Sequence, residues 1–201
     1  MKINFSAVLS REDANSAIGF SRNLTAQYPS CFVLAEETNI PHITLYAADF
    51  PEEHMLRLRD LRAELLREED YSFNCKIKQV ETHQRYIGVE IERTEKLMSF
   101  HKRIVEMFSP LRSKKETGES DYGMQFTDQQ KEYEEQYGHP DVLDLWNPHF
   151  TLTRLQSEHD AQKALNTLRW SRPEIKIHAI FPFFMGENGT CTLSTLRYWC
   201  D

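Results

Sequence analysis

The sequence predicts an α+β protein of two lobes built by internal duplication, and three observations carry that expectation. The order strand–helix–strand–strand is readable twice, once from His42 and once from His149. The strand–helix pair that precedes each copy also recurs, at Lys2–Tyr28 and at Arg85–Phe108. Each copy opens on the same five-residue pattern, Pro41-His42-Ile43-Thr44-Leu45 and Pro148-His149-Phe150-Thr151-Leu152. A chance P-H-x-T-L is expected about 0.002 times in a chain of this composition. Two copies at matching places in a repeated layout are therefore a signal.

The elements follow in order. Lys2–Leu9 reads as an apolar strand, and Arg11–Tyr28 as a helix with Ala14, Ala17, Ile18 and Leu24 on one face. Ser10 suits its N-cap, with Asp13 spaced as a capping box. Cys31–Ala35 is expected to be a second strand and the run from His42 a third. Pro51–Arg67 carries Met55, Leu58, Leu61 and Leu65 at helical spacing, with proline in the first turn. Ser72–Val80 and Arg85–Glu92 alternate as strands around a polar hairpin loop, Glu81–Gln84. Thr94–Phe108 is a helix with Leu97, Phe100, Ile104, Val105 and Phe108 in one stripe.

Residues 111–140 form a polar, acid-rich excursion in which Thr127 and Gln130 are spaced as a capping box. Tyr122, Phe126, Tyr133 and Tyr137 are candidates there for an aromatic cover over a bound base. Then the order repeats, with a strand at His149–Leu155, a helix at Glu158–Arg169, and strands at Glu174–Phe184 and Thr190–Trp199 around the Gly186–Gly189 turn. The expectation is one bilobal domain over 1–201, with motif strands at 42–46 and 149–153.

Composition narrows the chemistry. Apolar residues make up 40% and charged residues 27%, as in ordinary globular proteins. No apolar run approaches the ~20 residues that span a bilayer. The N-terminal apolar stretch is too short for a signal peptide, so a cytoplasmic protein without a membrane partner is expected. Cys31, Cys75, Cys191 and Cys200 are scattered without zinc-ligand spacing, which reads as reduced thiols, with a Cys191–Cys200 bridge as an alternative that no other feature supports. The net charge of −7 lacks the basic stripe that long nucleic acid requires. Any phosphate chemistry should act on a small substrate, or on the end of a strand.

Strand alternation gives the motifs a use. His42, Thr44 and Tyr46 share one face, as do His149, Thr151 and Thr153, while Ile43, Leu45, Phe150 and Leu152 face a core. If the two copies meet about a pseudo-twofold axis, two imidazoles and two hydroxyls converge on one cleft. Cleavage of a phosphodiester needs such a set: a base, an acid, and donors for the non-bridging oxygens. Histidine does either proton job near neutral pH, and threonine hydroxyls hold phosphate. His42 and His149 are thus the expected catalytic pair and Thr44 and Thr151 the phosphate binders, with Tyr46 and Thr153 as candidate substrate contacts. The motifs carry no ligand set that calls for a metal or cofactor. Arg154 falls on the opposite parity and would need a strand end or bulge to join them. Trp146 reads as a packing anchor and the other histidines as surface or core residues.

These residues resemble the two-histidine (2H) phosphoesterase superfamily, which includes 2′-5′ RNA ligase-like proteins and cyclic nucleotide phosphodiesterases. The resemblance rests on the HITL and HFTL tetrads and extends, as element order, over nearly the whole chain outside 111–140. It implies two pseudo-symmetric lobes of antiparallel sheet with outer helices around a central cleft. It also implies that His42 and His149 are the acid–base pair and that Thr44 and Thr151 bind phosphate. The expected activity is that of a metal-independent phosphoric diester hydrolase acting on a small nucleotide, such as a 2′,3′-cyclic nucleotide. A 2′-5′ phosphodiesterase or nuclease acting on short RNA ends, and a non-catalytic nucleotide-binding module, are the alternatives.

Overall fold

Strand β1 (Lys2–Leu9) sets the layering of the molecule. Its odd residues Ile3, Phe5, Ala7 and Leu9 are buried against an apolar core, while Asn4, Ser6 and Val8 line the other face. The computed structural model describes residues 1–68, 71–113 and 126–192. Five further strands follow among the described residues: β2 (His42–Asp49), β3 (Asn74–His83), β4 (Tyr86–Ile91), β5 (His149–Arg154) and β6 (Glu174–Phe184). Between them run helices α1 (Arg11–Gln27), α2 (Met55–Glu68), α3 (Glu95–Phe108), α4 (Asp128–Tyr137) and α5 (Glu158–Thr167).

All the strand pairings are antiparallel, in the order β1-β2-β5-β4-β3-β6, and β6 pairs back onto β1 to close the ring. Exchanging β1 with β4, β2 with β5 and β3 with β6 leaves this ring unchanged. The fold is thus α+β, with the two halves of the chain contributing equivalent strands. No helix among the described residues is long and apolar enough to cross a membrane.

The helices bury the stripes that their spacing dictates. α3 buries Leu97, Phe100, Ile104, Val105 and Phe108, and α1 buries Ala17, Ile18 and Leu24, all in one cluster with the apolar strand faces. At its centre the Phe5 and Phe108 rings stack at 4.0 Å, and Phe50 meets Phe5 edge-on at 5.9 Å. Thr127 and Gln130 close a full capping box on α4, and Gly138 ends that helix in the left-handed conformation at φ 74°.

Several expectations are corrected. Cys31–Ala35 forms no strand beyond a bridge from Ser30 to Leu155: Cys31 N still donates to Arg154 O at 2.7 Å, but Leu34 N donates to Ser21 Oγ and Phe32 O accepts from Thr153 Oγ1. The β3–β4 hairpin is tighter than expected, since pairing runs to His83 and Tyr86 and leaves only Gln84 and Arg85, both at positive φ, in the turn. Ser10 caps α1, yet Asp13 does not return the bond to the Ser10 backbone. Its buried carboxylate instead accepts from Ser10 Oγ at 2.6 Å and Lys176 N at 2.8 Å, tying α1 to β6. Cys31, Cys75 and Cys191 are free thiols. Cys200, Tyr122 and the strand expected beyond Thr192 lie outside the described residues.

His101 is a core histidine with a definite task. It is fully buried on α3, donates from Nδ1 to Leu45 O at 2.7 Å, accepts at Nε2 from Leu143 N at 2.8 Å, and stacks on Trp146 at 4.0 Å. Both nitrogens are satisfied only in the neutral ring. Burial accordingly lowers its pKa from 6.5 to about 4. Between those values the unfolded chain binds a proton that the folded chain refuses, so stability falls as pH drops, by about 1.4 kcal/mol per unit. Urea unfolding from pH 7 to 4.5 should show this slope in the wild type and a shallower one in His101→Gln.

Candidate active site

Each motif histidine is anchored by the residues just before it. His42 Nδ1 lies 2.7 Å from Ile40 O and His149 Nδ1 lies 2.8 Å from Asn147 O. A carbonyl only accepts, so both Nδ1 atoms carry the proton and both Nε2 atoms are left for the site. Pro41 and Pro148 favour this arrangement, because proline restrains the residue before it to extended backbone and so fixes the carbonyl two residues upstream of each histidine.

Strand register brings the copies together. β2 pairs with β5 at Ile43 and Phe150. In an antiparallel pair that register sets His42 beside Thr151 and Thr44 beside His149 on the face opposite the two apolar residues. Ile43 and Phe150 are themselves fully buried. His42, Thr44 and Thr151 are half-buried and His149 is exposed. The Thr151 hydroxyl makes no hydrogen bond among the described residues.

Tyr46 and Thr153 do not share this face. Ser6 stands opposite Thr44 but Phe5 stands opposite Tyr46, which leaves Leu45 as the extra residue of a β-bulge. The same break occurs in β5, where Gly88 faces Thr151 and Ile87 faces Thr153, leaving Leu152 extra. One inserted residue reverses the alternation. Tyr46 therefore turns into the core beside Phe5, and its hydroxyl donates to Tyr137 O. Thr153 is fully buried and donates to Phe32 O at 2.6 Å. Burial pushes the Tyr46 phenol well above its ordinary range. Both hydroxyls are committed to backbone carbonyls, and the simple alternation that placed them in the cleft is overturned by the bulge.

The bulge has the opposite effect on Arg154. It becomes the cross-strand neighbour of Tyr86, on the face of Gly88 and Glu90, which pair with Thr151 and His149. Its guanidinium lies 5.0 Å over the Tyr86 ring and donates to Asn188 Oδ1 at 2.7 Å. A Cβ at Gly88 would stand 3.7 Å from His149 Cδ2, in ordinary van der Waals contact.

Two residues that no local pattern marks complete the His42 side. Asn4 is fully buried, donates from Nδ2 to Thr44 Oγ1 at 2.9 Å, and stands 3.4 Å from His42 Nε2. Cys191 Sγ lies 3.5 Å from the same Nε2. Burial pushes the Cys191 thiol up to about 12, so it keeps its proton and meets the ring as a weak donor. Burial also lowers the pKa of His42, which favours the neutral ring. The other edge is polar: Glu90, opposite His149, accepts from Lys78 Nζ at 2.7 Å and Gln79 Nε2 at 2.8 Å. Trp146, just before the second motif, ties that segment to the first motif by donating from Nε1 to Thr44 O at 3.0 Å.

Among the described aromatics of the excursion, Tyr133 and Tyr137 are engaged with neighbours of their own. Tyr133 and Tyr137 pack edge-on against each other at 5.7 Å, and Tyr133 donates to Asp144. No group of three or more His, Cys, Asp or Glu side chains that could hold a metal ion is found among the described residues.

Comparison with known proteins adds one relationship. A family described as a protein of unknown function, DUF1045, matches residues 52–180, from the turn before α2 into β6. The match includes the second motif and begins after the first. No curated protein matches the chain.

Proposed function

The chain belongs to the DUF1045 family, whose description assigns no activity, and from the site we propose that it is a phosphoesterase of the two-histidine kind. In this reading it hydrolyses a small phosphodiester, such as a 2′,3′-cyclic nucleotide, without a metal. The observation that carries the proposal is the Ile43–Phe150 register, which sets two H-x-T faces side by side with both Nε2 atoms free of their own backbone. The likeness of the HITL and HFTL tetrads to the 2H superfamily supports it.

The chemistry follows from the donor set. One imidazole Nε2 takes a proton from water as the water oxygen forms its bond to phosphorus. The bond from phosphorus to the departing ribose oxygen breaks, and the other imidazole, protonated, delivers a proton to that oxygen. Thr44 and Thr151 hydroxyls donate to the non-bridging oxygens, whose charge grows in the transition state. Arg154, turned to the same face, adds a cation for the phosphate. Arg154→Gln should raise KM for a cyclic nucleotide about tenfold with a smaller change in kcat, read from steady-state kinetics.

Turnover of 2′,3′-cyclic nucleotides and short 2′-5′ and 3′-5′ oligonucleotides, measured in excess chelator, tests the proposal. Chelator-resistant turnover of the cyclic nucleotides is the expected result. Turnover confined to oligonucleotides, with steep salt sensitivity, would move the substrate to RNA ends. Nucleotide-dependent stabilisation without turnover of any substrate would make the protein a binding module and overturn the enzymatic reading.

A further inference from the structure

A cavity of about 270 Å³ adjoins the His42 edge of the site. Val8, the cross-strand neighbour of His42, lines it together with Phe181 and Phe183, and the Phe183 ring centre lies 6.5 Å from that of His42. Arg11, Asn15 and Glu36, all exposed, form its polar part. The corresponding place at the other edge is different, since Glu90 stands opposite His149 where Val8 stands opposite His42. The site is pseudo-symmetric in its reacting groups and asymmetric in its flanks.

We propose that this cavity seats the heterocyclic base of a nucleotide whose phosphodiester lies between His42 and His149. The inference rests on the phosphoesterase reading and adds a substrate class to it: base-bearing cyclic phosphates over base-free ones. The volume falls just below the roughly 300–1,000 Å³ of pockets for drug-sized ligands, which suits one small ring system. A nucleobase has apolar faces and a polar edge. Val8 and Phe181, both partly exposed, supply apolar contact for the faces beside the buried Phe183, while Arg11 offers donors, Glu36 acceptors and Asn15 both for the edge. A base-free sugar or glycerol phosphate leaves those apolar walls in water. The Glu90 flank, with its ion-paired carboxylate, offers a base no such surface.

The test compares kcat/KM for 2′,3′-cyclic AMP and for glycerol 1,2-cyclic phosphate in the wild type and in Ala14→Trp, which places a bulky ring where a half-buried alanine now lines the cavity. The wild type should favour cyclic AMP by about tenfold or more, and that ratio should fall by a similar factor in the variant. Ala14→Leu, a smaller insertion on the same helix face, should give an intermediate ratio and serves if the tryptophan variant does not fold. Equal kcat/KM for the two substrates in the wild type, or a ratio unmoved in a folded variant, overturns the subsite and leaves the two-histidine reading standing. If the wild type turns over neither substrate, the cyclic-phosphate substrate is set aside, and calorimetry with adenosine 2′-monophosphate decides the subsite alone. Binding that weakens about tenfold in Ala14→Trp upholds it, and no binding to the wild type overturns it.

Discussion

Replacing either motif histidine with glutamine should lower turnover of a cyclic phosphodiester by about 10²–10⁴-fold, the usual worth of a positioned acid or base. Glutamine keeps a polar head of similar reach, so His42→Gln and His149→Gln should remain folded, which circular dichroism and thermal melting can verify. The two losses should not add. Once one proton transfer is missing the other has little left to assist, and the double variant should fall close to the worse single variant. A nitrophenyl phosphodiester separates the roles, because nitrophenolate leaves without a proton. The variant lacking the acid should regain most of its rate on that substrate and the variant lacking the base should not. Wild-type-like turnover in either single variant would remove the acid–base pair from the mechanism.

Phe5→Ala is the core substitution with the largest expected cost, about 3–5 kcal/mol. Phe5 is 1% exposed and touches three other rings, Tyr46, Phe50 and Phe108, that come from β2, from the residue after β2, and from α3. Its removal leaves a cavity that no single neighbour can fill. A loss of this size is a large share of the roughly 5–15 kcal/mol that holds a domain together. Guanidinium unfolding should show a lower midpoint with an unchanged slope. Phe5→Leu, which retains much of the apolar volume, should cost appreciably less. The effect should also reach the site, because Phe5 lies between Asn4 and Ser6 on β1 and pairs across the bulge with Tyr46.

The sequence made some of this architecture readable and hid the rest for physical reasons. Helix α3 and strands β1 and β5 announce themselves by periodicity, because burial on one face demands it. The alternation that puts His42 with Thr44, and His149 with Thr151, holds because those three-residue stretches are regular strand. It fails one step later at Leu45 and Leu152, since a bulge is decided by what the partner strand offers and leaves no local mark in composition. Simple alternation therefore puts Tyr46 and Thr153 in the cleft and Arg154 outside it, and the bulge reverses all three. A paired comparison had a clue to offer: an aromatic at Tyr46 and a small hydroxyl at Thr153 make poor equivalents for one pseudo-symmetric role. Asn4 and Cys191 were out of reach for another reason, as both meet His42 only through pairings 38 and 149 residues apart. The expected strand at Cys31–Ala35 was a misreading of apolar content, because side chains from α1 and β5 take the hydrogen bonds a ladder would have used.

The junction between β2 and β5 is registered at a single residue pair, whereas the other strand junctions run over three or more. A joint with one rung offers little backbone resistance to shear between the two strands that carry the imidazoles. A phosphodiester gripped from both sides would act as the missing cross-tie. Stiffness in this molecule would then arrive with the substrate, and slowed amide exchange around Ile43 and Phe150 would report the moment of its arrival.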